Sequence, residues 1–287
     1  MEFTILHQTT YRYPVKIHES YTVCHLQPLS DTSQYCTKYE LQISPRARVF
    51  TYVDRFGNHV HHFGVLPDHD VLSIAARSAV ATVRLGTPEP NGGATRELLL
   101  SDPAYAMMYD YLHESTYVAF GPELMALAEA IGPPSDTDLD GWFAAAGHAI
   151  YAGFSYDRAA TSVRSTVDES VRARGGVCQD FAHILVALCR FNAIPARYVS
   201  GYIFSGQESG ILGADASHAW CEAYLPPHGW VGYDPTNDKR INDEFVKIAV
   251  GRDYRDVSPV RGVYKGAPVG AASELSVNVA MEALVGQ

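Results

Sequence analysis

The sequence predicts an α+β protein of two units, a β-rich one followed by one in which helices precede strands. Three observations carry this. Up to about residue 86 apolar and polar residues alternate with the period of half-buried strands. From Pro122 to Asn192 the apolar period is helical, and from Ala196 it returns to strands, so the elements are segregated rather than interleaved as in a doubly wound sheet. Between the units, "GTPEPNGGA" (Gly86 to Ala94) concentrates residues that interrupt regular structure. The expected boundaries are 1–86 for the first unit, 87–94 for the linker and 95–287 for the second.

The elements follow in order. Strand alternation runs through "FTILHQTTYRY", "KYELQISP" and "VFTYVDRFGNHVHHFGV", with "FGN" as a hairpin turn. "PELMALAEAIG" puts Leu124, Leu127, Ala128 and Ile131 on one helix face, with Pro122 at the start and Gly132 at the end. "DLDGWFAAAGHAIYAGF" predicts a second helix capped by Asp138 or Asp140. A third begins at or just before Cys178, carries Phe181, Leu185, Leu188 and Asn192 on neighbouring turns, and cannot pass Pro195. "ARYVSGYIF" is then a strand, and "SHAWCEAYLPPHGWVGYDPTN" is two strands around a Pro-Pro-His-Gly turn.

Composition excludes several classes. With 47% hydrophobic and 19% charged residues the 287-residue chain reads as globular. No apolar run approaches the roughly 18 residues of a spanning helix. A net charge of −10 and the lack of basic clusters argue against nucleic-acid and membrane-surface partners. Cys24, Cys36, Cys178, Cys189 and Cys221 are odd in number and scattered, so no disulfide framework is expected. The start "MEFTILHQTTYRYP" lacks a basic segment followed by a long apolar one, so a reduced, cytoplasmic setting is expected. No heptad declares an oligomer.

In "RGGVCQDFAHI" two glycines and a cysteine precede the third helix. A thiol at a helix start sits at the positive end of the macrodipole, which favours thiolate. Gly175 and Gly176 would leave room for a substrate backbone. The alternative is a small buried residue behind a plain Gly-Gly loop. A thiolate nucleophile needs a base, and the base an orienting acceptor. His218 enters the strand "SHAWCEAYL", sharing a face with Trp220, Glu222 and Tyr224, and Asp234 lies on the next strand. Facing a helix that begins with Cys178, these supply thiol, base and orienter.

Three stretches, "RGGVCQDFAHILVALCRFNAIPARYVSGY", "DASHAWCEAYLPPHGWVGYDPTN" and "AVGRDYRDVSPVRGVYKG", resemble the transglutaminase-like, papain-like cysteine enzymes. "TTYRYPVKIHES" and "DRFGNHVHHF" resemble the N-terminal β-domain of the bacterial branch of that family. The resemblance implies a Cys-bearing helix packed on an antiparallel sheet, with Cys178 as nucleophile, His218 as base and Asp234 as orienter. No cofactor is implied. It further implies a peptide or protein substrate, attacked at an amide bond through a thioester. Hydrolysis by a cysteine peptidase or amidase is the first expectation, and glutamine acyl transfer the second. A non-catalytic scaffold that retains the three residues is a reading of another class.

The hairpin register makes a separate demand. With Leu225 opposite Trp230, Asp234 would face away from His218. With Tyr224 opposite Trp230 across a five-residue loop, Asp234 opposes Trp220 and lies diagonal to His218, roughly 7–8 Å away. The second register is expected.

The backbone N–H of Cys178 is one natural oxyanion donor. Tyr156, Trp142 and Gln179 are candidates for the second. His59, His61 and His62 raise a metal site, but no carboxylate or thiol completes it and none is expected. Asp215 and Glu222 rival Asp234; the first is expected in a loop and the second paired with an arginine. Cys189 and Cys221 are expected in the core, and Asp180 near the helix terminus. The charges of "GRDYRDVSPVRG" offer either a site for a substrate carboxylate or local pins for the C-terminal segment, and the second is expected. The β-rich unit is expected to gate substrate access or bind a partner.

Overall fold

The computed structural model describes residues 1–83, 93–162, 164–206, 211–213, 216–266 and 273–284. Six strands open the chain: β1 (Glu2–Ile17), β2 (Glu19–Cys24), β3 (Gln34–Ser44), β4 (Val49–Val53), β5 (His59–Val65) and β6 (His69–Thr82). Alternation works as the period demands, with Phe3, Ile5, His7 and Thr9 of β1 buried and the residues between them turned outward. The "FGN" turn forms between β4 and β5, where the Asp54 carboxylate accepts from the Phe56 and Asn58 amides and Gly57 takes a φ of +87°.

The helical stretch contains α1 (Arg96–Ser101), α2 (Pro122–Ile131) and α3 (Leu139–Gly153). Asp138 caps α3 by accepting from Gly141 N at 2.8 Å, while Asp140 instead pairs with Arg240. Next come β7 (Ser155–Tyr156), α4 (Val167–Ala173), β8 (Gly175–Gly176) and α5 (Cys178–Phe191). The strands β9 (Ala196–Ile203), β10 (His218–Tyr224), β11 (Trp230–Asp234), β12 (Lys239–Arg240) and β13 (Phe245–Gly251) follow, then α6 (Tyr254–Val257). The order β12-β11-β10-β9-β13 makes a five-stranded antiparallel sheet.

α5 is buried from Gln179 to Arg190, on all sides rather than along one stripe. Ile184, Leu185 and Leu188 pack with Leu124 and Phe143 of the other helices and with Ala219, Cys221 and Ala223 of β10. Cys189 and Cys221 are both fully buried in this core. At its C-terminal end the Arg190 guanidinium donates to the carbonyls of His113, Ala196 and Arg252, tying three segments to the helix.

The last strands, β14 (Val260–Lys265) and β15 (Glu274–Ala283), leave the helical unit. β14 pairs with β2 and β15 with β1, completing two four-stranded sheets, β15-β1-β6-β3 and β14-β2-β5-β4. Their inward faces, including Ile17, Phe63, Val65, Leu72 and Ile74, make the second core. The range 95–287 therefore does not describe one packed unit, because its last strands belong to the β-sandwich. Both are edge strands held by backbone pairing, and most of their side chains are exposed, so their apolar pattern does not name their sheet. Of the 87–94 linker, residues 87–92 lie outside the described residues, and Ala94 is already buried in the helical core.

The sandwich docks against the outer strand of the five-stranded sheet. Phe3, Ile5, Val80 and Val279 pack on Tyr202, Val246 and Ile248. Two side-chain amides pair with the β13 backbone: Gln34 accepts from Lys247 N at 2.7 Å and donates to Lys247 O at 2.8 Å. Asn58 does the same with Val250 N and O, at 2.8 Å each. Buried peptide groups at that edge are thereby satisfied without another strand.

Candidate active site

Cys178 is the first residue of α5 and half-buried. Its N–H belongs to the first turn, whose donors have no acceptor within the helix. Val177 before it is extended, and the Asp180 carboxylate accepts from Val177 N at 2.8 Å, which fixes the turn into the helix. Asp180 also accepts from the Thr161 hydroxyl at 2.6 Å and the Ser170 hydroxyl at 3.1 Å. Burial pushes its carboxyl above the ordinary range despite these donors. It anchors the helix start more firmly than a terminal charge alone would.

His218 and Asp234 are brought together as the second register requires. Tyr224 pairs with Trp230, Ala223 with Val231, Glu222 with Gly232 and Cys221 with Tyr233, across the five residues Leu225 to Gly229. His218 Nε2 lies 2.7 Å from Asp234 Oδ2, and both side chains are fully buried. Burial lowers the imidazolium's stability, but the charge and hydrogen bond of Asp234, together with the Cys178 thiol, more than offset it and raise the pKa to about 10. Burial likewise disfavours the Asp234 anion, yet His218, Asn237 and the Thr236 amide hold its carboxyl below the usual range.

Alternation turns Ala219, Cys221 and Ala223 toward α5, while Trp220 packs with Val199, Phe245 and Val250 on the other face. His218 is thus not simply a residue of the helix-facing side. It meets the thiol because each is the first residue of its element, at the end of the sheet. With Nε2 committed to Asp234, Nδ1 is buried and has no hydrogen-bond partner among the described residues. A neutral ring that donates Nε2–H to Asp234 therefore offers Nδ1 as a lone-pair acceptor. Tyr198 and Tyr254 stand near enough to feel a charge on the sulfur, and both phenols are pushed upward, mainly by burial.

The glycines do something other than expected. Both are buried, in β8, which pairs in parallel with Ser155 and Tyr156. A Cβ on Gly176 would stand 2.6 Å from Asp180 Oδ2, and one on Gly175 would stand 3.4 Å from Ala160 Cβ and from Ser155 O. Asp180 fills the space beside Gly176, which corrects the substrate-clearance expectation there, and Gly175 is buried with its neighbours at ordinary contact distance. Trp142 is also removed from the oxyanion candidates, because its ring is in the helical core and its Nε1–H donates to Gly132 O at 2.9 Å. Tyr156 is carried next to Gly176, two residues before Cys178. Gln179 is buried in the first turn of α5.

Of the rival carboxylates, Glu222 pairs with Arg197 at 2.6 Å and with Lys247 at 3.4 Å. Asp215 lies outside the described residues. In "GRDYRDVSPVRG", Arg252 pairs with Asp256, and Asp253 caps α6 and accepts from Tyr117 N, so these charges hold local structure. His62 stacks on Phe50, and among the described residues no three His, Cys, Asp or Glu side chains are grouped to hold a metal. A cavity of about 1000 Å³ between the units is lined by Leu29, Phe56, Arg197, Glu222, Trp230 and Lys247, among others, but not by Cys178 or His218.

Two residues absent from the sequence argument stand beside the pair. Asn237 donates to Asp234 Oδ2 at 2.8 Å, and a Cβ on Gly213 would stand 2.5 Å from His218 Nδ1. The signal for Asn237 was the turn chemistry of "DPTN", where a carboxylate accepts from the amide two residues on, here Thr236 N at 2.9 Å. Nothing in the sequence marked Gly213.

Residues 3–81 match the bacterial transglutaminase-like N-terminal region, and residues 126–235 match the transglutaminase-like superfamily core. An uncharacterized protein of Mycobacterium tuberculosis is 32% identical over 302 residues, covering 96% of this chain and 92% of its own length. One of Mycobacterium leprae is 31% identical over 278 residues, covering 96% of each chain. A protein-glutamine gamma-glutamyltransferase of Pseudomonas aeruginosa is 32% identical over 123 residues, 38% of this chain and 18% of that protein. In fold, a crystal structure of a candidate cysteine protease from Cytophaga hutchinsonii superposes with a TM-score of 0.77 at 23% identity, covering 100% of this chain and 92% of that one. With both family regions in their order and relatives alike over nearly their whole length, the chain belongs to the transglutaminase-like superfamily of thiol enzymes, in the bacterial form that carries its own N-terminal β region.

Proposed function

We propose that the protein cleaves amide bonds of peptides or proteins with Cys178 as nucleophile, His218 as general base and acid, and Asp234 as orienter. The observation that carries this is an imidazole near the Cys178 thiol whose Nε2 is held by a buried carboxylate, which stabilises the imidazolium formed when Nδ1, buried and without a hydrogen-bond partner among the described residues, takes the thiol proton. The thiol proton passes from Sγ to Nδ1, and the sulfur attacks the amide carbonyl carbon. The oxyanion so formed sits at the start of α5, where the Cys178 N–H is a preorganised donor. Tyr156, carried beside Gly176, is the second donor we favour. The Nδ1 proton then goes to the leaving amine as the C–N bond breaks, which leaves a thioester and a neutral ring. Water, deprotonated by Nδ1, attacks the thioester and releases the acid and the thiol. The half-exposed position of Cys178 favours this hydrolytic outcome.

A second reading rests on the glutamyltransferase relative, which is alike over 123 residues. There an amine replaces water at the thioester, with the same residues in the same roles. One assay separates the two. A peptide library is incubated with and without an added primary amine, and fragments, ammonia and amine incorporation are followed by mass spectrometry. Hydrolysis gives fragments or free acid that do not depend on the amine, whereas acyl transfer gives Cys178-dependent amine incorporation. Turnover that persists undiminished in Cys178→Ala would overturn both.

A further inference from the structure

We infer that Asn237 is a positioning residue that joins the His218–Asp234 pair to the loop segment Ile211–Gly213 walling the imidazole; this rests on the proposed role of the pair. Its side-chain amide spends every polar group on that junction. Nδ2 donates to Asp234 Oδ2 at 2.8 Å and to Leu212 O at 3.2 Å, while Oδ1 accepts from Leu212 N at 2.9 Å. The amide cannot be reversed without setting NH₂ against the Leu212 N–H, so its orientation is determined. Asp234 accepts three hydrogen bonds in turn, with Oδ1 on Thr236 N and Oδ2 shared by His218 and Asn237. Its carboxylate plane, and with it the imidazole, is set from the Asn237 side as well as from β11.

The far end of the same junction explains why the loop matters. Gly213 follows the residue Asn237 grips, has a φ of +87°, and lies so close to His218 Nδ1 that a Cβ there would stand 2.5 Å from it. The nitrogen that must accept the thiol proton is therefore walled by backbone whose position Asn237 fixes. Asn237 touches no reacting atom. It acts through Asp234 on one side and through Leu212–Gly213 on the other.

The test uses the full chain and p-nitrophenyl acetate as acyl donor, following nitrophenolate release across pH. Asn237→Ala, which removes a charge-assisted donor, is expected to lower kcat by about 10–100-fold. KM should stay within about twofold, because the substrate meets the same surface. Asn237→Asp keeps the shape but sets a second carboxyl 2.8 Å from Asp234, where the two share a proton and the charge facing the imidazolium changes, and it is expected to displace the alkaline limb of kcat/KM. Gly213→Ala, read independently, should lower kcat at least as much as Asn237→Ala. Thermal unfolding of each variant shows that the fold is kept. A kcat for Asn237→Ala within about twofold of the unsubstituted protein, or an alkaline limb unmoved in Asn237→Asp, overturns the inference. Full nitrophenolate release by Cys178→Ala instead overturns the proposed function itself, whatever the Asn237 variants do.

Discussion

At the scale of single residues, the site depends on a buried ion pair that is worth having only when complete. Taking His218 and Asp234 out of water disfavours both charges, and each is stabilised mainly by the other. Asp234→Asn removes the charge, so the His218 ring, followed by NMR, should titrate well below its value of about 10, toward the ordinary 6.5. The same substitution should reduce kcat/KM at least about tenfold, since the imidazolium formed after proton transfer loses its counter-charge. The sign of the stability effect follows. A group raised from 6.5 to about 10 on folding contributes fully below pH 6.5, and the contribution is lost as pH climbs to about 10. The urea midpoint of the unsubstituted protein should therefore exceed that of Asp234→Asn most near pH 6 and least near pH 10. A gap that stays constant across that window would contradict the pair.

At the scale of elements, two short devices aim the side chains. The five-residue turn sets the register that puts Asp234 beside His218; one residue fewer would turn it to the opposite face. This was legible in the sequence, because side-chain alternation leaves only one register that serves both residues. The helix start was legible as to place but not construction. Position alone puts Asp180 near the helix terminus, yet it binds Val177 N, Thr161 and Ser170, and those hydroxyls come from segments whose proximity no local pattern reveals. Gly176 was misread for the same reason, since its constraint is the folded position of Asp180. A double-mutant cycle checks this. Gly176→Ala should destabilise the protein by about 1–3 kcal/mol in urea unfolding. In the Asp180→Ala background that cost should shrink by at least about 0.5 kcal/mol, as expected of residues in contact. Equal costs in both backgrounds would point back to substrate clearance.

At the scale of the whole molecule, the β-sandwich is fastened to the helical unit by closed hydrogen-bond pairs as well as apolar packing. Gln34 and Asn58 each satisfy one residue's N–H and C=O on β13, and Lys247 bridges Asp31 of the first unit to Glu222 of the sheet. Replacing Asn58 by Ala leaves the Val250 N–H and C=O unpaired, at a cost of about 2–5 kcal/mol, while replacing Gln34 by Ala leaves the Lys247 N–H unpaired, at about 1–3 kcal/mol, because Leu29 N still donates to Lys247 O. Calorimetry of the double variant should show the two units unfolding in separate steps, where the unsubstituted protein unfolds in one. The two-unit architecture was legible from the change of period, but the return of β14 and β15 to the sandwich was not. Edge strands are chosen by backbone pairing over long sequence separations, and the alternation of Glu274–Ala283 serves any sheet.

The claim on which the rest depends is that Cys178 becomes acylated with His218 as its base. Peptide mapping by mass spectrometry, after rapid quenching of the protein with p-nitrophenyl acetate, tests it directly. An acetyl group is expected on the peptide that carries Cys178. That label should be absent in Cys178→Ala and should form about 100-fold or more slowly in His218→Ala. Acetyl spread over the other thiols and lysines, or forming at Cys178 equally fast without the imidazole, would contradict it.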